Sequence, residues 1–363
     1  METLIKGRMK KTQKKKQKNI YNFYKRRKIN NKIFSNIFAG DIYYKYKKPL
    51  KIFIIFILLV IYYMLKKTKN KNILPNNDYN NININNKKKS NTTIAMCDIA
   101  KMENRYIKYF VDYYLKLGYD HIYLYDNNDP GAEKIDDLDI VKDGIKKGLI
   151  TVISYRPKVS NPVTESYYDC YEKYNMIYNW ISFFDIDEFL MIEPKNSTVQ
   201  EFFESPRYND CELLKINWRV FNDNDQLDYI DAPLIERFPY ETRYKMENRH
   251  VKASIRGGLD YHNFRRNGSP HSIYSNIKAC SCSGKKTNWN YYLWPPDFSF
   301  ASLNHYVTKS VTEFFYKKYK SKVDVNTISE SWKRYLFNYF FSVNSKTKEK
   351  VDIFNKIYHT NYH

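Results

Sequence analysis

From Thr93 onward the chain alternates short apolar runs with helical stretches, and this order limits the architecture more than any other feature of its 363 residues. Thr93 to Ile99 (TIAMCDI) suits a buried strand, after which Ile107, Phe110, Val111, Tyr114 and Leu115 recur at helical spacing and Gly118 supplies a stop. His121 to Tyr125 (HIYLY) predicts a second strand, broken by the turn-rich segment from Asp126 to Gly131. Ile135, Leu138, Val141 and Ile145 form another helical stripe that Gly148 ends, and Leu149 to Ser154 (LITVIS) predicts a third strand. A Tyr-rich helical stretch from Thr164 to Asn179 leads to Trp180–Phe184 (WISFF), a fourth strand. Thr198 and Glu201 then stand at capping-box spacing before Phe202 and Phe203. Strands that alternate with helices of about 10 to 15 residues imply βαβ units, so the expected class is α/β with a mostly parallel sheet flanked by helices. Ligands of such sheets bind beyond the carboxyl ends of the strands. The acidic turns after Tyr125 and after Phe184 fall there.

Lys and Arg total 61 against 39 Asp and Glu, a net charge of +22 that would suit a nucleic-acid binder. Its distribution argues otherwise. Residues 1–90 hold 24 basic and 3 acidic side chains, which leaves 37 and 36 for residues 91–363. The charge therefore belongs to a tail and not to a binding face of the fold, and no nucleic-acid partner is expected. Within that tail, Leu50 to Leu65 reads LKIFIIFILLVIYYML, with Lys51 near enough to one end to snorkel. It is short beside the roughly 20 apolar residues of a typical span, and thinner early-secretory membranes tolerate such a length better. The run begins too late for a cleaved signal peptide, and no small-residue cleavage site follows it. The expected organisation is a basic cytoplasmic tail (1–49), one transmembrane signal-anchor (50–66), an Asn- and Lys-rich stem (67–90), a folded domain (91–345) and a C-terminal tail (346–363). The positive-inside rule predicts a single-pass type II orientation, with the Golgi or endoplasmic reticulum as the expected membrane, although Lys66, Lys67, Lys69 and Lys71 beyond the span weigh the other way. N-x-S/T sequons at Asn91, Asn196 and Asn267 suit a lumenal domain.

The chemistry points to Asp185-Ile186-Asp187. Strand alternation would put both carboxylates on one face and turn Ile186 and Glu188 away. Two carboxylates on one face repel unless a proton or cation lies between them. A hard divalent ion, Mn²⁺ or Mg²⁺, would serve and would also hold a diphosphate. An isolated D-x-D is commonly a solvated turn. Here it follows five apolar residues and precedes Phe189, Leu190 and Met191, which sets both acids into a buried region. The five cysteines (Cys97, Cys170, Cys211, Cys280, Cys282) include no CxxC pair, which argues against structural zinc and permits up to two disulfides with one free thiol. No GxxxxGK[ST], G-x-G-x-x-G or G-x-S-x-G motif occurs, against NTPase, Rossmann oxidoreductase and serine-hydrolase functions.

The blocks IAMCDIAKMENRYIKYFVDYYLKLGYDHIYLYDNND, FFDIDEFL, NWRVF and LNHYVTKSVTEFFYKK, in that order over residues 93–320, resemble glycosyltransferase family 92 and its bacterial family-2-like relatives. The resemblance implies a GT-A fold, a nucleotide-sugar donor (a UDP-sugar), a divalent metal, an acceptor glycan or glycoprotein, and type II topology. It further implies roles for residues. Asp126 resembles the acid near the donor's nucleoside. Asp187 looks like the direct metal ligand of the D-x-D, with Asp185 nearer the ribose or a metal-bound water. His305 is similar to the late histidine that completes many GT-A metal sites, its alternative being a hydrogen-bonded histidine in a packed segment. Lys101 and Glu103 stand where relatives carry K-N-E, and Met102 departs from that pattern. Within Arg249–Cys282, which includes Lys252, His262, Arg265 and Arg266, the family suggests diphosphate or acceptor contacts. Arg256 and His271 are the choices there, against the alternative of a solvated basic loop. Trp218 and Phe221 fit the core better than a sugar platform. Inversion at the anomeric carbon needs a general base, and Asp228, Asp231, Glu236 and Asp297 are eligible by type with no spacing to select one. The expected function is a membrane-anchored glycosyltransferase (a hexosyltransferase, galactosyltransferase-like). The alternatives are a catalytically silent, membrane-anchored binding protein and a D-x-D phosphatase of the haloacid-dehalogenase type, whose motif would not continue with Glu188 and Phe189.

Overall fold

The computed structural model describes residues 91–155, 161–195, 197–243, 246–264, 271–288, 290–320 and 329–359. The expected cytoplasmic tail, membrane span and stem (1–90), the sequons at Asn196 and Asn267, and Arg265 and Arg266 lie outside them. Among the described residues no helix is long and apolar enough to cross a membrane. The elements run β1 (Ile94–Ala100), α1 (Asn104–Leu117), β2 (His121–Asp126), α2 (Asp139–Lys146), β3 (Ile150–Ser154), α3 (Pro162–Tyr174), β4 (Trp180–Phe183), β5 (Glu188–Ile192), α4 (Val199–Phe203), β6 (Leu213–Val220), α5 (Leu234–Arg237), β7 (Val251–Arg256), β8 (Ala279–Ser281), β9 (Lys286–Thr287), β10 (Ala301–His305), α6 (Val311–Lys320), α7 (Glu330–Val343) and α8 (Lys348–His359). Local signals act where the sequence puts them. Gly118 closes α1 at φ 108°, a left-handed conformation that costs glycine nothing, with its N–H bonded back to Tyr114 and Leu115. Thr198 and Glu201 form the reciprocal capping box of α4.

One ten-stranded sheet carries the order β3-β2-β1-β4-β7-β6-β10-β5, with β8 and β9 continuing from β6. The half built from residues 94–183 is parallel, as expected. The rest is not. β7 runs antiparallel to both β4 and β6, β5 antiparallel to β10 and β9 antiparallel to β8, so the sheet is mixed, with five parallel pairings and four antiparallel ones. The extra strands escape an apolar-run reading because they bury polar residues: Glu188 in β5, Lys215 and Asn217 in β6, Lys252 and Ser254 in β7, Asn304 and His305 in β10. Each buried polar group must find a partner or carry a desolvation cost. Most of them face the site described below or the 290s loop.

This topology gathers one edge. The carboxyl ends of β1, β2, β4, β6 and β10 meet the amino ends of β7 and β5 there, and the register pairs His305 directly with Glu188. The apolar cores lie on the two faces of the sheet, one under α1 and α2 and one under α3. Disulfides join Cys97 to Cys170, tying β1 to α3, and Cys211 to Cys280, while Cys282 is a buried free thiol. The C-terminal stretch expected as a tail is instead the packed helix α8. Phe354 is fully buried against Phe314, Phe315 and Phe340, and the buried Lys350 ammonium reaches Asp223 at 2.6 Å and Asp225 at 2.7 Å. Its spaced aromatic and aliphatic residues give it an amphipathic face that needs a core to cover it.

Candidate active site

Strand β4 ends at Phe183, so Asp185-Ile186-Asp187 is a turn and not the strand expected from the sequence. Ile186 is buried, and the chain closes around it: the Glu188 N–H donates to the Asp185 carbonyl at 2.8 Å, and the Asp185 N–H donates to Glu188 Oε2 at 3.0 Å. This turn, not alternation, brings the two aspartates together. It also returns Glu188 to the same buried network, correcting the expectation that its side chain faces away.

Each aspartate holds a lysine. Lys252 Nζ on β7 lies 2.5 Å from Asp185 Oδ1 and 3.7 Å from Glu188 Oε2, and the Tyr167 hydroxyl donates to Asp185 Oδ1 at 3.0 Å. Lys309, in the turn between β10 and α6, places Nζ 2.5 Å from Asp187 Oδ2, and His305 Nε2 stands 3.6 Å from Asp187 Oδ1. The Asp187 side chain is only 14% exposed, whereas Asp185 opens to solvent at 43%. Burial alone would push the Asp187 carboxyl up, but Lys309 and His305 more than offset it and hold the group well below the usual carboxylate range. The same contest at Asp185, with Lys252 as the main opponent of burial, also ends lower than usual.

Two further carboxyls behave oppositely. Asp98, on β1, is fully buried, and neither of its oxygens has a hydrogen-bond partner among the described residues. Burial and the nearby Asp185 charge raise it well above the ordinary value, and burial likewise raises Glu188. A carboxyl raised in the folded state contributes stability that is fully present below its unfolded value near 4 and lost as pH rises through the folded value. Asp187, lowered in the fold, contributes above about pH 4 and loses its contribution on acidification. Taken together, these three groups favour the fold most near about pH 4, and the raised pair weakens it toward neutrality. Asp98→Asn, which deletes one raised group, is expected to match the parent near pH 4 and exceed it increasingly toward pH 8, by up to about 1.4 kcal/mol per pH unit. Urea denaturation across that range reads the difference, and parallel profiles for parent and variant would contradict it.

The other residues predicted from the sequence divide. Asp126 ends β2 at the same edge, where its carboxylate accepts the N–H groups of Asn128 (2.9 Å) and Ile135 (3.3 Å). His271 joins the periphery: its Nδ1 contacts the Val251 carbonyl at 2.9 Å and its ring meets Trp218 edge-on, 4.9 Å away. Burial, helped by Lys252, lowers its pKa to about 3, so it is neutral. Trp218 is buried between His250, His271 and His305, and Phe221 is buried on Tyr306, which makes both packing residues. Arg256 is not brought to the site. It lies at the carboxyl end of β7 opposite Trp180, on the far edge of the sheet, stacks on that indole, and donates to the carbonyls of Cys211 and Tyr208. Asp228, Asp231 and Glu236 are exposed, and Asp297 is held by Ser281, Ser283 and Ser299, so none of the four eligible bases enters the cluster.

Met102 is explained by its backbone. It has φ 60°, and its N–H donates to Asn128 Oδ1 at 2.8 Å. Asparagine tolerates this region better than methionine does. Met102→Asn is expected to stabilise the fold by about 1 kcal/mol, read as a raised denaturation midpoint; a lowered midpoint would count against the strain argument.

Sequence reasoning missed the lysines of the last block. Beyond Lys309, Lys317 pairs with Glu103 at 2.5 Å and donates to the Lys101 carbonyl, fastening the K-x-E loop to α6. Lys318 has its pKa lowered by burial, with Lys309 and Lys317 adding to this against the pull of Asp187. The available signal was a run of lysines at 309, 317 and 318, directly after a buried histidine strand and on a helix with an apolar face.

The family model for glycosyltransferase family 92 matches residues 90–341. No curated protein matches the sequence. Among solved structures, the chain is similar to S. aureus TarS, at 12% identity over 69% of this chain and 71% of that one, with a TM-score of 0.35. A second similarity is to glucosyl-3-phosphoglycerate synthase from Mycobacterium tuberculosis, at 14% identity over 46% and 57% of the two chains, with a TM-score of 0.25. A third is to the bifunctional glycosyltransferase WbbM, at 10% identity over 36% and 24%, with a TM-score of 0.24.

Proposed function

Because the chain belongs to glycosyltransferase family 92, we propose that it transfers a hexose from a UDP-sugar to a hydroxyl of a glycan or glycoprotein, at a site holding Mn²⁺ or Mg²⁺. The observation that carries the reading is the meeting of Asp187 and His305 at the carboxyl edge of the sheet, with a wall of lysines beside them. A carboxylate oxygen and an imidazole nitrogen 3.6 Å apart lie within the span that one ion bridges at about 2.1 Å per bond. The second ring nitrogen of His305 is buried without a hydrogen-bond partner among the described residues, so no other bond commits the ring. The described residues contain no ready-made set of three such ligands. Two protein donors completed by phosphate oxygens and water are what Mg²⁺-like ions prefer. The residues thus fit such an ion, with Asp187 and His305 as holders and Asp185 beside them.

When bound, the metal supplies neutralisation of charge on the departing diphosphate. The chain does the rest. Lys252 and Tyr167 fix the Asp185 carboxylate, and Lys317 and Lys318 offer positive charge to the phosphates. The acceptor oxygen forms its bond to the anomeric carbon as the bond to the β-phosphate oxygen breaks. The nucleoside diphosphate leaves with that electron pair, and the acceptor's proton goes to a base. We further place the domain in the lumen of the Golgi or endoplasmic reticulum behind a type II anchor at residues 50–66. The charge asymmetry of the first ninety residues and the two disulfides support this. Calorimetric titration of the full chain in detergent with UDP, GDP and ADP, with and without Mn²⁺, tests the donor assignment. UDP should bind in a Mn²⁺-dependent manner and the other two at least tenfold more weakly. Equal binding of all three, or none, would remove it.

A further inference from the structure

We propose that Lys309 is a displaceable counter-ion: it neutralises Asp187 in the empty site, resists a divalent ion there, and moves to the diphosphate when the nucleotide arrives. The inference rests on the nucleotide-sugar reading above. It begins from the 2.5 Å contact between Lys309 Nζ and Asp187 Oδ2, made by an ammonium only 5% exposed. The carboxylate that would bind the ion is therefore already paired, and a doubly charged ion on Asp187 would face a fixed positive charge at close range, where the repulsion is twice that of two unit charges.

The lysine is held rather than merely parked. Its backbone has φ 54°, a left-handed conformation that a lysine seldom adopts. The next residue, Ser310, anchors the turn by donating its N–H and hydroxyl to Glu313. The ammonium also lies 5.0 Å from the centre of the Tyr106 ring, a second favourable contact. Around it stand Asp187, His305, Glu103 and Glu313, together with Lys317 and Lys318. Glu103 is engaged by Lys317, and Glu313 by Arg237. Lys309, Lys317 and Lys318 therefore line one corner beside Asp187, a grouping of cations that suits a diphosphate. With its oxygens present, Lys309 exchanges one anionic partner for another, and Asp187 is freed for the ion. Metal and nucleotide then bind cooperatively, and by linkage each strengthens the other by the same factor.

The test is a titration of Mn²⁺ into the full chain in detergent, with free ion read by electron paramagnetic resonance, with and without UDP. In the parent, UDP should tighten Mn²⁺ binding at least tenfold. Lys309→Met should bind Mn²⁺ alone at least tenfold more tightly than the parent, bind UDP at least tenfold more weakly, and lose most of the coupling. Lys309→Arg should keep the parental pattern, and Lys309→Gln replaces the Met variant if that variant fails to fold by circular dichroism. Unchanged or weaker binding of Mn²⁺ alone by the folded neutral variant, alongside intact Mn²⁺ and UDP binding by the parent, overturns the counter-ion role and leaves the donor reading standing. Absence of both Mn²⁺ and UDP binding from the parent overturns the two together.

Discussion

Asp187→Asn is expected to lower sugar transfer about a thousandfold in protein that still folds. Asparagine keeps the shape of the side chain and removes its charge, so the change falls on the electrostatics of the site. The carboxylate is held ionised by Lys309 and His305 against the cost of burial, and an amide cannot neutralise a cation. Loss of one preorganised charge at a diphosphate-departure site costs about 10²–10³ in rate, and if Asp187 holds a divalent ion as proposed, losing that ion would cost more. The change also leaves the buried Lys309 ammonium without its closest anion, so a stability loss of up to about 3–5 kcal/mol accompanies it. Initial rates and melting temperatures measured on the same preparation separate the two effects. A tenfold or smaller loss of activity would show that Asp187 does not hold the reacting complex together.

The second large effect concerns stability. Arg237 on α5 and Glu313 on α6 form a bidentate pair, with Nη1 2.9 Å from Oε1 and Nη2 2.5 Å from Oε2, at 3% and 0% side-chain exposure. Tyr106 on α1 donates to the same carboxylate at 2.7 Å. Three helices therefore meet on one buried charge at the start of α6, which carries Lys317 and Lys318 and follows Lys309. Arg237→Met leaves Glu313 ionised and without its cation, and removing one partner of a buried pair costs about 3–5 kcal/mol. Adding Glu313→Gln removes the stranded charge and should restore at least half of that loss. The sign with pH follows. In the parent the Glu313 carboxyl lies below its usual value, so its contribution is present above about pH 4 and lost on acidification. Without Arg237, burial raises it, and the deficit of the variant shrinks as pH falls. Denaturant unfolding at pH 5 and pH 8 checks both statements. A deficit independent of pH, or a double variant no better than the single, would contradict them.

Much of this architecture was legible because half of the sheet obeys simple periodicity. β1, β2, β3 and β4 are nearly uninterrupted apolar runs, and the helices between them end where Gly118 and Gly148 say they should. The second half hides itself. A strand such as Leu213–Val220 carries Lys215 and Asn217 inward, and β7 carries Lys252 inward to Asp185. Those polar residues are buried because distant partners satisfy them, and a window of sequence does not contain the partners. For the same reason the D-x-D could be found by its spacing while its geometry was misjudged. Alternation would need β4 to extend through Asp187, but the chain turns at Ile186 and recovers Glu188. Arg256 was drawn to the site by the family resemblance of Arg249–Cys282; its place at the far end of an antiparallel strand follows from topology, which reverses the strand's direction. Lys309 and His305 are four residues apart, yet their joint hold on Asp187, more than a hundred residues earlier, is visible only in three dimensions.

Nucleoside diphosphate release by the full chain in detergent, across a panel of UDP- and GDP-sugars, with Mn²⁺ or with chelator, for the parent and Asp187→Asn, tests whether Asp187 and His305 hold a divalent ion that serves a nucleotide-sugar donor. Release from one UDP-sugar that requires Mn²⁺ and vanishes in the variant is the expected result. Release that persists in chelator, or survives in Asp187→Asn, would contradict it.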